Sequence, residues 1–274
     1  MRIALLSDIH GNSIALTAVL RDARDAGVDR FCILGDLAAI GPEPVAAIES
    51  VASLDNAVLT RGNTDRYVVT GDGPPPSLAA ARANPELVAT YAGIAASLAW
   101  TRGFITGAGW FEWLEALPID LRLALPDGTR LLGVHACPGN DDGEGIHPGR
   151  SNESIRSLVA GCDADLVMVG HTHEPMTRAL DSTLVVNLGS VSNPRAPDLR
   201  ASYVLLEAAP DAVSIEHRRV SYDHHAFLES VRRSRHPGAD FILSYQRGEQ
   251  VGRVPHSDHT PLMAGPHRFC LPAK

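Results

Sequence analysis

The chain has 274 residues, 45% of them hydrophobic and 20% charged, with a formal net charge of −8 at pH 7. That acidic balance, with a pI near 5.8, argues against binding to nucleic-acid backbone, which needs a basic footprint. It leaves room for a phosphorylated small substrate, because bound cations can dominate the field inside a site.

Residues 2–6, Arg-Ile-Ala-Leu-Leu, are an apolar run of strand length that breaks into Ser7-Asp8-Ile9-His10-Gly11-Asn12. Ligands of open α/β sheets gather at the carboxyl ends of the strands. Alternation along an extended chain would put Asp8 and His10 on one side, where both can hold one ion. Asn12 adds a neutral donor there. Residues 13–26 carry Leu16, Val19, Leu20 and Ala23 at helical spacing and stop at Gly27. Residues 30–34 read as a second strand ending in Gly35-Asp36-Leu37. This alternation predicts a parallel βαβ unit with Asp36 beside Asp8. Residues 43–54 read as a helix with Pro42 or Pro44 near its start. Residues 57–60 read as a third strand, ending in Arg61-Gly62-Asn63-Thr64-Asp65.

The Pro-Pro-Pro run at 74–76 can be neither helix nor central strand. Residues 77–117 are alanine-rich, hold Trp100, Trp110 and Trp113, and lose the strand rhythm, which predicts a helical insertion of two or three helices. Packing against the sheet accounts for such an insertion; a cap that shapes substrate access is the sharper reading. Its apolar, aromatic character also offers a face for a homo-oligomer. Strand rhythm returns at 119–125, turns at Pro126-Asp127-Gly128-Thr129, and runs back over 130–134 to His135. The Gly-, Asp- and Pro-rich loop at 136–150 reads as mobile and close to the site. Residues 151–160 form a helix capped by Ser151 or Asn152, and 165–169 a buried strand ending at Gly170-His171-Thr172-His173. Residues 184–187 lead into Gly189-Ser190, 203–207 and 213–218 look like an antiparallel pair, and 223–234 reads as a helix. Residues 251–274, rich in Pro and His, predict an extended tail after a domain of residues 1–250.

The four cysteines show no CxxC spacing, which fits a reduced compartment better than a disulfide framework. The first apolar run is cut short by Ser7-Asp8, unlike a signal peptide. The longest apolar stretch, 88–100, falls short of the ~20 residues a membrane helix needs. A cytoplasmic protein without membrane partners is the expectation. Twelve histidines stand out in a chain of this size, and imidazole is the commonest metal ligand.

Five strand ends thus carry ligand-type residues: Asp8 with His10, Asp36, Asn63, His135, and His171 with His173. Seven such groups are too many for one ion and suit two, with a carboxylate shared. Carboxylate, amide oxygen and imidazole without thiolate suit divalent Mn, Fe, Zn or Ni.

In this order D-x-H-G-N, G-D-L, G-N-x-D, V-H-A and G-H-T-H resemble the calcineurin-like metallophosphoesterase superfamily. The later N-L-G-S-V-S-N-P-R and R-V-S-Y-D stretches resemble its bacterial and archaeal branch of small stand-alone phosphoesterases. The resemblance covers all but the insertion and the tail. It implies an α/β fold, a four-layer αββα sandwich of two mixed sheets, around a centre of two divalent metal ions. By that likeness Asp8, His10, Asp36 and His173 hold the first ion. Asp36 bridges to the second, which Asn63, His135 and His171 complete. The implied nucleophile is a hydroxide between the metals, attacking phosphorus in line, with Asp36, Asn63 and His135 as catalytic groups. Asn12 and the backbone around Asn63 are expected to bind phosphate oxygens.

The implied activity is hydrolysis of phosphodiester or nucleotide-type phosphate bonds. Alternatives are a phosphomonoesterase or protein phosphatase, or a non-catalytic scaffold on the same fold; the intact ligand set favours the enzyme. Many members of the superfamily carry a histidine after G-N that helps protonate the leaving alcohol. Thr64 stands there instead, which implies a preference for good leaving groups unless another histidine such as His147 contributes. Cys137 reads as a small buried residue, His224 and His225 as flanking a helix, and His256, His259 and His267 as solvated tail residues. Asp65 is expected to orient a ligand histidine or to pair with Arg66 or another arginine.

Overall fold

The computed structural model describes residues 1–195, 197–251 and, as backbone, 267–269. The first half runs β1 (Arg2–Leu6), α1 (Ser13–Asp25), β2 (Arg30–Leu34), α2 (Pro44–Ala52), β3 (Ala57–Thr60) and α3 (Asn63–Thr70). The insertion follows as α4 (Leu78–Ala83), a 3-10 turn at Pro85–Leu87, α5 (Val88–Gly107) and α6 (Phe111–Glu115). Then come β4 (Asp120–Ala124), β5 (Arg130–Val134), α7 (Asn152–Val159), β6 (Leu166–Val169), β7 (Met176–Leu180) and β8 (Thr183–Asn187). The last elements are β9 (Ala201–Ala208), β10 (Val213–Val220), α8 (His224–Ser234), α9 (Ala239–Gln246) and β11 (His267–Phe269).

Two mixed sheets result, ordered β11-β10-β9-β1-β2-β3 and β4-β5-β6-β8-β7. In the first, β1, β2 and β3 are parallel, while β9 and β10 join antiparallel. In the second, β5, β6 and β8 are parallel, flanked by antiparallel β4 and β7.

The period-2 alternation of the strands sorts side chains into layers. Ile3, Leu5, Cys32 and Leu34 meet Leu131, Leu166, Met168, Leu184 and Val186 between the sheets. Their neighbours Ala4, Leu6, Phe31 and Ile33 face the other way and pack with Leu16, Val19 and Leu20 of α1. Beyond the second sheet, Leu132, Val134, Val167, Val169 and Val185 meet Ile155 and Val159 of α7. This is the four-layer αββα sandwich. A one-residue slip in any strand would exchange its two layers. Each large apolar side chain so buried contributes about 1.5–3 kcal/mol over exposure, so the register is strongly held.

Three elements are absent from the sequence reading. Helix α3 begins within the turn expected after β3, with the Asp65 carboxylate accepting from Gly62 N at 2.9 Å. Strand β7 forms a hairpin with β8, and α9 follows α8. The 136–150 loop is anchored, not mobile as expected. Cys137 and Asn140 exchange backbone hydrogen bonds, Ile146 is fully buried, and Arg178 donates to the carbonyls of Arg150 and Pro148. The insertion is helical, as predicted, and leaves most of α5 uncovered; only Thr101 and Ile105 of that helix are buried. Of the stretch read as a tail, β11 pairs antiparallel with β10; residues 252–266 and 270–274, with His256 and His259, and the side chain of His267 lie outside the described residues. Among the described residues no helix is long and apolar enough to cross a membrane.

Candidate metal centre

The loops after β1, β2, β3, β5 and β6 converge where the strand ends of the two sheets meet. Their backbones differ from the extended path expected for the i, i+2 pairs. Asp8, His10, Asp36, His171 and His173 all have positive φ, at 58°, 48°, 54°, 68° and 62°. Left-handed residues other than glycine cost about 1–3 kcal/mol each and cluster at functional sites. Here the left-handed turns, not strand alternation, bring these side chains together. The β1 and β2 loops are stitched by Asp8 N to Gly35 O (3.1 Å), His10 N to Asp36 O and Gly11 N to Leu37 O (both 2.9 Å).

Two groups of ligand atoms form. Asp8, His10 and His173 make one; Asp8, Asp36 and His135 make the other. Asp8 Oδ1 lies 3.1 Å from His173 Nε2, 3.7 Å from His10 Nε2 and 3.9 Å from His135 Nε2. Asp36 Oδ2 lies 3.7 Å from His10 Nε2 and 3.4 Å from His135 Nε2. Both carboxylates therefore face both groups. Asn63 Oδ1 sits 3.0 Å from His135 Nε2 and 3.0 Å from His171 Nδ1.

Backbone carbonyls fix the imidazoles. Nδ1 of His10, His135 and His173 donates to the carbonyls of Ala39 (3.0 Å), Leu34 (2.6 Å) and Asn193 (2.6 Å), which turns each Nε2 inward. His171 is reversed: Nε2 donates to Gly143 O at 2.7 Å and Nδ1 faces Asn63. Burial pushes the His10 imidazole down to about 4, so it is neutral. Its Nε2 lone pair points at His173 Nε2, 3.1 Å away, where Nδ1 already donates elsewhere. Burial opposes charge on His135 too, but Asp36 and Asp8 outweigh it and raise that group to about 10. Burial raises Asp8 and Asp36, yet the facing histidines more than offset it, so both carboxyls are held below the usual range. Asp8 Oδ1 is buried without a hydrogen-bond partner. Converging acceptors around an orphaned carboxylate oxygen fit cations in both groups, with His135 carrying a proton that a cation would displace.

Two residues serve differently from expectation. Asp65 touches neither a ligand histidine nor Arg66 through its carboxylate; it accepts from the backbone N–H of Asp36 (2.8 Å), Leu37 (3.0 Å) and Gly62 (2.9 Å) and so fixes the Asp36 loop. Burial and the Asp36 charge push Asp65 up to about 7 against the pull of those donors. Asn12 caps α1, accepting from Ala15 N at 2.9 Å and donating to Ser192 Oγ at 3.2 Å, fully buried. Its oxygen and its NH2 are thus engaged within the fold. Thr64 N donates to Asp36 Oδ1 at 2.9 Å. Tyr67 and Asp142, which the sequence reading passed over, border the Asn63–His171 side. The only hint available was an acidic pair in the loop and basic residues at Arg61 and Arg66.

A sandwich of two mixed sheets with buried Asp, Asn and His gathered at the joined strand ends defines the metallophosphoesterase fold. The chain belongs to the calcineurin-like phosphoesterase superfamily, whose domain its residues 1–211 match. It is 28% identical over 251 residues to an uncharacterized protein of Methanocaldococcus jannaschii, covering 86% of this chain and 93% of that one. A metallophosphoesterase from Sphaerobacter thermophilus superposes with TM-score 0.70 at 27% identity, covering 90% of this chain and 99% of that one. A hypothetical protein from Pyrococcus horikoshii OT3 gives TM-score 0.73 at 23% identity, with 89% and 97% covered.

Proposed function

We propose that the protein hydrolyses phosphodiester or nucleotide-type phosphate bonds with the help of two divalent cations. The observation that supports this best is the buried, unpartnered Asp8 Oδ1 facing three inward-turned imidazoles. In this reading Asp8, His10, Asp36 and His173 hold one ion, and Asp36, Asn63, His135 and His171 the other. When bound, the ions supply an activated water and neutralise charge on the attacking and leaving oxygens. The protein's part is positional. The carbonyls of Leu34, Ala39, Gly143 and Asn193 lock the tautomers, and Asp65 anchors the shared carboxylate. Two carboxylates against two dications leave a net positive site that favours an anionic phosphoester.

The insertion supports a capping role. A cavity of about 620 Å³, lined by Tyr67, Arg102 and Asp142 among others, lies between α3 and α5, and Tyr67 reaches Asn63. The test of the function is a screen of metal-reconstituted protein over a bis-aryl phosphodiester, an aryl monophosphate, cyclic nucleotides and dinucleoside polyphosphates. Turnover of the diester is expected. Loaded protein that turns over none of them would refute the assignment.

Thr64 cannot serve as a general acid near neutral pH, so aryl leaving groups are expected to react faster than alkyl ones. If His147 supplies the missing proton, His147→Ala lowers the rate on alkyl diesters by about 10²-fold and spares aryl diesters. Unchanged alkyl rates would remove His147 from the reaction.

A further inference from the structure

We infer that Asp142 is the positioning residue for the Asn63–His171 half of the centre, an inference that rests on the two-ion reading above. Its carboxylate joins α3 to the 136–150 loop. Oδ2 accepts from Arg66 Nη2 at 2.8 Å and from the Tyr67 hydroxyl; Oδ1 accepts from Gly143 N at 2.7 Å.

Both arms of that junction end on a ligand. On one side the Tyr67 hydroxyl donates to Asp142 and lies near the Asn63 amide, which draws the phenol down against the effect of its burial. Asn63 directs its Oδ1 toward His135 and His171, 3.0 Å from each, and so turns its NH2 away from them. On the other side Asp142 Oδ1 holds the Gly143 peptide, whose carbonyl takes the His171 Nε2 hydrogen at 2.7 Å. That bond fixes the one tautomer in which Nδ1 is a free acceptor. The loop is also tight against the ring. A Cβ built on Gly145 would stand 2.7 Å from His171 Cδ2, so the loop packs against the ring with no room for a side chain there. Asp141 braces the same junction by accepting from Arg61 Nε and Arg66 Nε. Among the described residues the hydrogen bonds of Asp142 do not extend to His10 or His173, whose Nδ1 atoms donate to the carbonyls of Ala39 and Asn193. The Asp142 junction therefore bears directly on the Asn63–His171 half of the centre.

Asn at this position keeps the shape but has one acceptor oxygen where two are used, so an NH2 must face either Gly143 N–H or the Arg66 and Tyr67 donors. Groups that orient metal ligands typically change affinity by about 10–100-fold when removed. Stepwise Mn²⁺ titration of the full chain, followed by calorimetry and by the number of ions retained after dialysis, reads the two sites separately. For Asp142→Asn we expect one of the two ions to lose about 10–100-fold in affinity, with the other ion unchanged and turnover restored at high Mn²⁺. Tyr67→Phe, which removes the hydroxyl that donates to Asp142 beside Asn63, should show the same selective loss to about tenfold, and it decides the matter if Asp142→Asn fails to fold. Unchanged affinity for both ions in these variants, or equal weakening of both, would overturn the role of Asp142. Wild-type chain that binds fewer than two ions would instead overturn the two-ion reading itself.

Discussion

Asp36→Asn is expected to abolish turnover of every phosphoester the wild-type protein accepts, a loss on the order of 10³-fold or more. Asp36 Oδ2 faces both His10 and His135, and Oδ1 takes the Thr64 N–H at 2.9 Å. An amide here puts an NH2 either among the converging acceptors or against the Thr64 donor. It also removes one of two buried negative charges that would hold the cations. The backbone bonds from Asp36 and Leu37 to Asp65 do not involve the altered side chain, so the fold should persist. Steady-state kinetics beside circular dichroism checks both halves of this expectation. A folded variant with undiminished rate would show that Asp36 is not the shared carboxylate.

Gly62→Ala should lower turnover by about 10²-fold, the penalty that a 1 Å misplacement of a catalytic group can carry. The cause is steric: an added Cβ would stand 2.0 Å from Asp36 Oδ1 and 2.5 Å from Asp36 N. A backbone nitrogen cannot swing aside as a side-chain tip can, so the β2 and β3 loops must separate. Overpacking of this kind costs about 1–3 kcal/mol, which lowers the melting temperature by roughly 2–10 °C in a domain of this size. Gly93 supplies the control, because nothing lies within 4 Å of a Cβ built there. In α5 an alanine should leave activity unchanged and slightly raise stability. Wild-type kinetics in Gly62→Ala would mean that the Asp36 loop is not held where the structure places it.

The strands were readable as short apolar runs, but the four layers came with the family resemblance: Ile3 and Leu5 face one way and Ala4 and Leu6 the other, and all four are apolar, so the run does not say which layer each joins. The strand ends announced themselves through abrupt changes from apolar runs to Asp, Asn and His, and the structure gathers all seven of those side chains. What the sequence could not carry was conformation. Residues Asp8 and His10 share a face because both adopt left-handed backbone, which no side-chain pattern encodes. The groups that orient the histidines are carbonyls of Leu34, Ala39, Gly143 and Asn193, and every residue owns a carbonyl. Asn12 shows how one side chain can suit two roles: the type that could meet a phosphate here caps α1. Helix α3 was hidden because its first turn holds Asn63 and Asp65, which also read as a ligand-bearing loop. The loop at 136–150 looked mobile from its Gly and Pro content; the arginines that pin it come from elsewhere in the chain.

All of this turns on cations lodged among acceptors that otherwise repel one another. Crystals grown with Mn²⁺ and measured near the manganese absorption edge would give an anomalous difference map. Two peaks are expected, one against Asp8, His10 and His173 and the other against Asn63, His135 and His171, with Asp36 between them. A single peak, or none, in crystals of protein that still cleaves phosphoesters would contradict it.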